Sequence, residues 1–144
     1  MAVDVRRLTD PGDWQLKKLL QGYLTEIGEE VASEEALERL EKAVGRGDIV
    51  FFLAYRGSRA VGMCSVAEHF STFSCGRVGV FEDFFIEPVF RGKGIARMLA
   101  DAARKYCREK GLASLSVSCA HCDEEMYRAL GFNTALGTSL ASII

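Results

Sequence analysis

The chain has 144 residues, 49% of them hydrophobic and 26% charged, with a net charge of -2. This is the make-up of an ordinary globular protein, read as one domain over residues 1–144 with enough apolar material for a real core. The balance of charge excludes a protein that coats nucleic acid by bulk electrostatics, and no apolar run approaches the roughly 20 residues of a membrane helix.

The first ten residues, MAVDVRRLTD, lack the charged-then-apolar layout of a secretory leader, so a cytoplasmic location is expected. Within them VDVRRL reads as a first strand, and Asp10, Pro11 and Gly12 as a turn. Helical periodicity follows in DWQLKKLLQGYLTEI. Ser33 is a fair N-cap for a second helix, EEALERLEKAV, which Gly45 and Gly47 stop. IVFFLAY, the turn RGS and AVGMCSVAEHF predict a hairpin of buried strands. The loop STFSCG leads to a further strand, RVGVFEDFFI. A long helix is predicted over residues 95–110 and stopped by Gly111, followed by the strand ASLSVSC. DEEMYRAL reads as a short helix capped by Gly131, and ALGTSLASII as a final strand. The order β-α-α-β-β-β-α-β-α-β implies an α/β (α+β) fold with a mixed sheet covered by helices, the long helix crossing over between parallel strands.

Five cysteines without a secretion signal read as free thiols in a reducing compartment. CAHC, with Cys119, His121 and Cys122, raises the question of a metal. A structural zinc site needs a second ligand pair at similar spacing, and His69 is the only other histidine, so no metal is expected.

Two features carry chemistry. The first is the join between strand and long helix, where Arg91, Gly92, Lys93 and Gly94 give two glycines, two cations and no acid. The helix predicted beyond it turns Ile95, Met98, Leu99, Ala102, Ala103 and Tyr106 to the sheet, and Arg97, Asp101, Arg104, Lys105 and Arg108 outward. At a helix start several N–H groups lack intrahelical partners and the macrodipole is positive. Glycines bare those groups and the cations reinforce them, which makes a cradle for phosphate or pyrophosphate. The ATPase loop does not fit, because Ile95 and Ala96 follow Gly94; the dinucleotide fingerprint does not fit, because Arg97 stands where its third glycine belongs.

The second feature is a pair of acids in a greasy strand. Val78, Val80, Phe84 and Ile86 share one face by alternation and Phe81 and Phe85 the other, so the strand is predicted central, with Glu82 and Asp83 one on each face. A buried carboxylate is costly unless paired or protonated. Either each acid pairs with an arginine, or the strand opens to solvent there, or a desolvated carboxylate serves as a general base.

EDFFIEPVFRGKGIARML together with MYRALGF resembles the GNAT N-acetyltransferases, closest to the spermidine/spermine-type amine acetyltransferases. The signature Arg/Gln-x-x-Gly-x-Gly/Ala matches Arg91, Gly94 and Ala96, and the downstream element matches Tyr127, Leu130, Gly131 and Phe132. The resemblance implies acetyl-CoA as co-substrate, its pyrophosphate on the N–H groups of Arg91, Gly92, Lys93, Gly94, Ile95, Ala96 and Arg97. It implies a pantetheine arm paired with the backbone of Phe84, Phe85 and Ile86. It also implies direct attack by a primary amine, with Glu82 as base, Tyr127 as the acid that protonates the thiolate, and Glu82 and Asp83 facing the amine. Without the resemblance, Tyr127 reads as a helix tyrosine packing with Met126 and Leu130. Many family members carry asparagine where this chain has Ala120, so Ser118 or His121 is left to replace its contacts.

Glu26, Glu29, Glu30, Glu34, Glu35, Glu38 and Glu41 crowd the first two helices, either to draw in a polycationic amine or as a solvated face. Homodimers are frequent in the family, and the apolar tail LASII suits an interface or a last core strand equally. The competing reading is a non-catalytic acyl-CoA or nucleotide-binding module, against which Glu82 and Tyr127 argue, since a pure binder needs neither.

Overall fold

The structure is a computed structural model and describes residues 2–144. Strand β1 is Asp4–Arg7, and two helices follow, α1 over Trp14–Glu26 and α2 over Glu34–Arg46. Asp13 starts α1 by accepting from the Gln15 N–H at 2.8 Å. Ser33 starts α2 by accepting from the Ala36 N–H at 3.1 Å, and Gly47 ends it. These caps satisfy N–H groups that would otherwise lack partners. Strands β2 (Ile49–Arg56), β3 (Arg59–Ser71) and β4 (Gly76–Ile86) form the expected meander. Helix α3 (Ile95–Glu109) crosses to β5 (Leu115–Ser116), and the short α4 covers Glu124–Ala129. The five strands lie in chain order in one sheet, antiparallel except for the parallel pair of β4 and β5.

Each face of the sheet carries a core. On β2, Val50, Phe52 and Ala54 face α3 and pack with Ile95, Leu99 and Ala103. Phe51 and Leu53 face the other way and pack with Leu16 and Leu19 of α1. Both faces of the central strands are therefore apolar, which is why these strands read as continuous hydrophobic runs.

Three expectations are corrected. Residues 135–144 form no strand: they make no main-chain hydrogen bond among the described residues, Gly137 turns the run at φ 117°, and Leu140 is 92% exposed. The tail touches the sheet region through the Ser139 and Ser118 hydroxyls, 3.2 Å apart. Met98 sits at the margin of the α3 interface, partly exposed, while Ala100 is wholly buried. Phe81 packs on the α3 face with Phe84 and Ile86, not with Phe85. Its cause is a bulge in β4, which also builds the site.

Candidate active site

Strand β5 pairs with β4 at Gly79 and Val80 alone. Beyond that point β4 keeps β3 on one side and has no strand on the other, so its edge from Phe81 to Ile86 opens into a cleft of about 770 Å³. The opposite wall comes from residues 117–120 and from Tyr127 of α4, the roof from Tyr23 and Glu26 of α1, and the far end from the loop before α3. An open strand edge of this kind offers unpaired main-chain donors and acceptors to an extended ligand.

The bulge lies within that edge. Met63 pairs with Phe85 and Ser65 with Glu82, so two β4 residues, Asp83 and Phe84, oppose Cys64 alone. Asp83 absorbs the extra residue in the left-handed region, at φ 53°. Alternation reverses across it, which puts Phe81 and Phe84 on one face with ring centroids 5.2 Å apart. The two acids, expected one on each face, instead both lie toward Tyr23, whose phenol is held above its ordinary range by burial and by the charges of Asp83 and Glu82. Asp83 is half-buried and accepts from the Ser65 hydroxyl at 2.7 Å. Burial raises its pKa, and the Ser65 bond only partly offsets that. Burial and the neighbouring Asp83 likewise raise Glu82, although its carboxylate is exposed to the cleft. Neither acid has an arginine or lysine partner among the described residues.

At the cradle, Gly92 and Gly94 have φ of 73° and 85°, and no atom lies within 4 Å of where a Cβ would stand on either. The loop thus takes a left-handed path open only to glycine at low cost, with its surface bare. Gly94 caps α3 without a side chain, and the N–H groups of Gly92, Lys93 and Gly94 have no main-chain partner among the described residues. Lys93 forms no ion pair there either, whereas Arg91 is committed elsewhere. Arg91 Nε donates to the Ile86 carbonyl at 2.8 Å and Nη2 to Glu26 at 2.5 Å, with the guanidinium 5.7 Å from the centre of the Phe85 ring. Arg91 therefore ties the end of β4 to the end of α1, and its side chain is not a free cation of the cradle. The Arg97 side chain turns away to the Ala129 carbonyl, leaving its main chain at the helix start. Ile95 and Ala96 complete that first turn and line the cleft.

Tyr127 is half-buried against Phe84 and Phe132, each ring centroid 6.0 Å away. Burial first, then Asp123, Tyr23 and Cys119, push its phenol up to about 12, so it holds its proton at neutral pH. Tyr127, Glu82, Asp83, Phe84, Phe85, Ile86 and the glycine loop share one cleft, along with Ser118 and Ala120 but not His121. Tyr23 and Glu26 also line it; Tyr23 did not stand out in sequence, and Glu26 did so only as one of seven clustered glutamates, because an α1 position facing β4 is fixed only by tertiary packing. Of the seven glutamates expected on the first two helices, Glu29 and Glu30 fall in the loop between them, and Glu26 alone lines the cleft. CAHC is not part of any group of three or more metal-type side chains among the described residues. No described helix is long and apolar enough to cross a membrane.

A mixed sheet that splays beside a strand–glycine-loop–helix cradle defines an acyl-CoA-dependent transferase fold. Solved structures of similar fold include an aminoglycoside acetyltransferase from an uncultured soil metagenomic sample, crystallised with trehalose (TM-score 0.86, 16% identity, covering 99% of this chain and 95% of that one). Glucosamine-6-phosphate N-acetyltransferase from Arabidopsis thaliana matches at TM-score 0.79 and 18% identity, covering 99% of each chain. A predicted acetyltransferase from Clostridium acetobutylicum, solved with acetyl-CoA, matches at 0.81 and 17%, covering 98% of this chain and 96% of that one. At these identities the likeness speaks for the fold. No curated protein sequence matches the chain.

The family assignment comes from the sequence profile of the acetyltransferase (GNAT) family, which matches residues 14–132; the chain belongs to that family. It is an acetyl-CoA-dependent N-acetyltransferase, and the reading as a non-catalytic binding module falls with that assignment. The residues fit the cofactor: bare N–H groups at a helix start suit a diphosphate, and the unpartnered edge of β4 suits an amide-bearing arm.

Proposed function

We propose that the chain acetylates a primary amine, either a small amine such as a polyamine or a peptide amino group, by direct attack in a ternary complex. One observation carries the reading: two adjacent carboxylates with raised pKa share a cleft with a tyrosine that keeps its proton. Acetyl-CoA supplies an acetyl group activated as a thioester.

The chain's own residues supply binding and proton movement. The N–H groups from Gly92 to Arg97 hold the diphosphate, with Lys93 as the accompanying cation; the Arg91 N–H, expected to join them, donates instead to the Pro88 carbonyl at 3.2 Å. Main-chain groups of Phe84 pair with the arm, and the Ile86 N–H remains for it while the Ile86 carbonyl stays with Arg91. Phe85, expected to join them, stands in register with Met63 two residues before the Glu87 N–H to Val61 bond, so alternation turns its main chain to β3 and leaves it only a side-chain role. An alkylammonium near pKa 10 arrives protonated and must lose a proton before it attacks. Glu82, exposed to the cleft and made more basic by burial and by Asp83, takes that proton. Asp83, fixed by Ser65, adds the negative field that attracts the cation. Tyr127 Oη gives its proton to the departing sulfur.

Glu29, Glu30, Glu34, Glu35 and Glu38, all exposed on the loop after α1 and on α2, lie outside the cleft but add a negative field that favours an acceptor with more than one positive charge. A panel of mono-, di- and polyamines and lysine peptides, scored by thiol release, tests the reading. Turnover is expected for at least one polycationic amine, with an apparent affinity that weakens steeply with salt. Tight CoA binding with no release for any amine would sink it.

A further inference from the structure

One motif is left without a role in that chemistry. Of the five cysteines, Cys64 and Cys107 are buried, and Cys75, Cys119 and Cys122 are exposed free thiols. Cys75 sits on the turn between β3 and β4, away from the cleft, and its Sγ lies 3.4 Å from the Thr72 carbonyl. Cys119 lines the cleft between Ser118 and Ala120, on the wall opposite the open edge of β4. It is close enough to Tyr127 for a thiolate there to oppose ionisation of the phenol. Cys122 lies in the middle of the tight turn His121–Asp123 that follows, closed by the Asp123 N–H donating to the Ala120 carbonyl at 2.9 Å. A thiol on a ligand wall, with a second thiol three residues on, is the arrangement in which a captured disulfide can be resolved internally.

We propose that Cys119 is a thiol–disulfide exchange site in the cofactor cleft, with Cys122 as its resolving partner and the disulfide of a small thiol as its oxidant. The Cys119 thiolate attacks one sulfur of the small disulfide, forming a mixed disulfide and expelling one thiolate. The Cys122 thiolate then attacks the Cys119 sulfur, forming the Cys119–Cys122 bond and expelling the second thiolate. Two protein thiols are oxidised, one disulfide is reduced to two thiols, and the two protein protons end on the departing sulfurs. The mixed disulfide fills the wall against which the cofactor arm lies, and the internal bond pulls residues 119–122 out of their present turn. Either state shuts acetyl-CoA out, so the cleft responds to the thiol redox balance around it. The inference rests on acetyl-CoA occupying this cleft, and on neither of the proton-transfer roles given to Glu82 and Tyr127.

The test uses the whole reduced protein treated separately with glutathione disulfide and with CoA disulfide, followed by intact mass, peptide mapping and calorimetry with acetyl-CoA, which has no free thiol to reverse the capture. Cys119 is expected to be captured before Cys75. CoA disulfide should act faster than glutathione disulfide, because the cleft recognises its nucleotide end. Saturating acetyl-CoA, whose sulfur is blocked and cannot exchange, should slow capture of Cys119 roughly fivefold or more and leave Cys75 unaffected, in line with site occupancy at high ligand excess. Oxidised protein should lose its acetyl-CoA heat and regain it on reduction. Cys122→Ser should stop at the mixed disulfide, and Cys119→Ser should keep its acetyl-CoA heat through the same treatment. Capture of Cys75 as fast as Cys119, no protection by acetyl-CoA, or acetyl-CoA heat retained after oxidation overturns the switch alone. No heat in the fully reduced protein overturns the cofactor reading and the switch with it.

Discussion

Tyr127 and the two acids set the chemistry residue by residue, and each makes a separable prediction. Tyr127→Phe keeps the ring between Phe84 and Phe132 and removes only the hydroxyl that carries the proton. Turnover should fall on the order of 10²-fold, with CoA affinity by calorimetry unchanged. Glu82 is raised above the usual glutamate value of about 4.3, so the acid limb of kcat/KM should lie above that pH and vanish in Glu82→Gln. An acid limb that survives the substitution assigns the base elsewhere. Asp83 concerns stability as well. Its raised pKa means the folded state binds the proton more tightly than the unfolded chain does. Its stability contribution is therefore present at low pH and lost as pH rises through the carboxylate range. Asp83→Asn still accepts from Ser65 but does not ionise, so it should gain in Tm relative to the parent as pH climbs above about 4. A gap that narrows with rising pH would contradict the geometry. These acids were legible in sequence because a carboxylate in a greasy strand needs a reason. Their common face was not, because strict alternation knows nothing of a bulge at Asp83, and bulges leave no mark in the pattern of apolar residues.

At the scale of elements, the start of α3 does most to define the site. Its cradle was readable because Gly92 and Gly94 have no other obvious use between a strand and a helix, and the structure gives both positive φ with open space above. Gly94→Ala puts a side chain at φ 85° and over the bare N–H groups. It should cost about 1–2 kcal/mol of stability from the left-handed backbone, and weaken CoA by roughly tenfold or more as the diphosphate is pushed off. Thermal melts and calorimetry read the two effects separately, and full CoA affinity in a destabilised variant would remove the loop from cofactor binding. The Arg91 side chain is where the local reading went astray. Sequence shows a cation beside glycines, but Glu26 lies 65 positions away along the chain, and the packing of α1 on the sheet, with Gly22 and Tyr23 against the Phe85 ring, brings its end within reach.

For the molecule as a whole, the order of elements up to α4 followed from periodicity and caps, since β2 to β4 are buried on both faces and α3 on one. The tail did not follow. Apolar letters at Leu136, Leu140 and Ile143 suggest a strand, yet a strand exists only where a neighbour takes its hydrogen bonds, and none does so among the described residues. What unites the rest is β2, which sends Phe52 and Ala54 into the core under α3 and Phe51 and Leu53 into the core under α1. Two cores that share the residues of one strand cannot melt independently, so we infer one cooperative unit. Leu99→Ala opens a cavity on the α3 face and Leu19→Ala one on the α1 face, both side chains being wholly or almost wholly buried. Each should cost about 2–5 kcal/mol and lower Tm by roughly 5–15 °C in a chain of this size. The melts should remain single transitions, coincident by far-ultraviolet dichroism and by near-ultraviolet signals from the aromatic residues. If either variant gave two separated steps, the face without the cavity would be folding alone, and β2 would not be the element that couples the two cores.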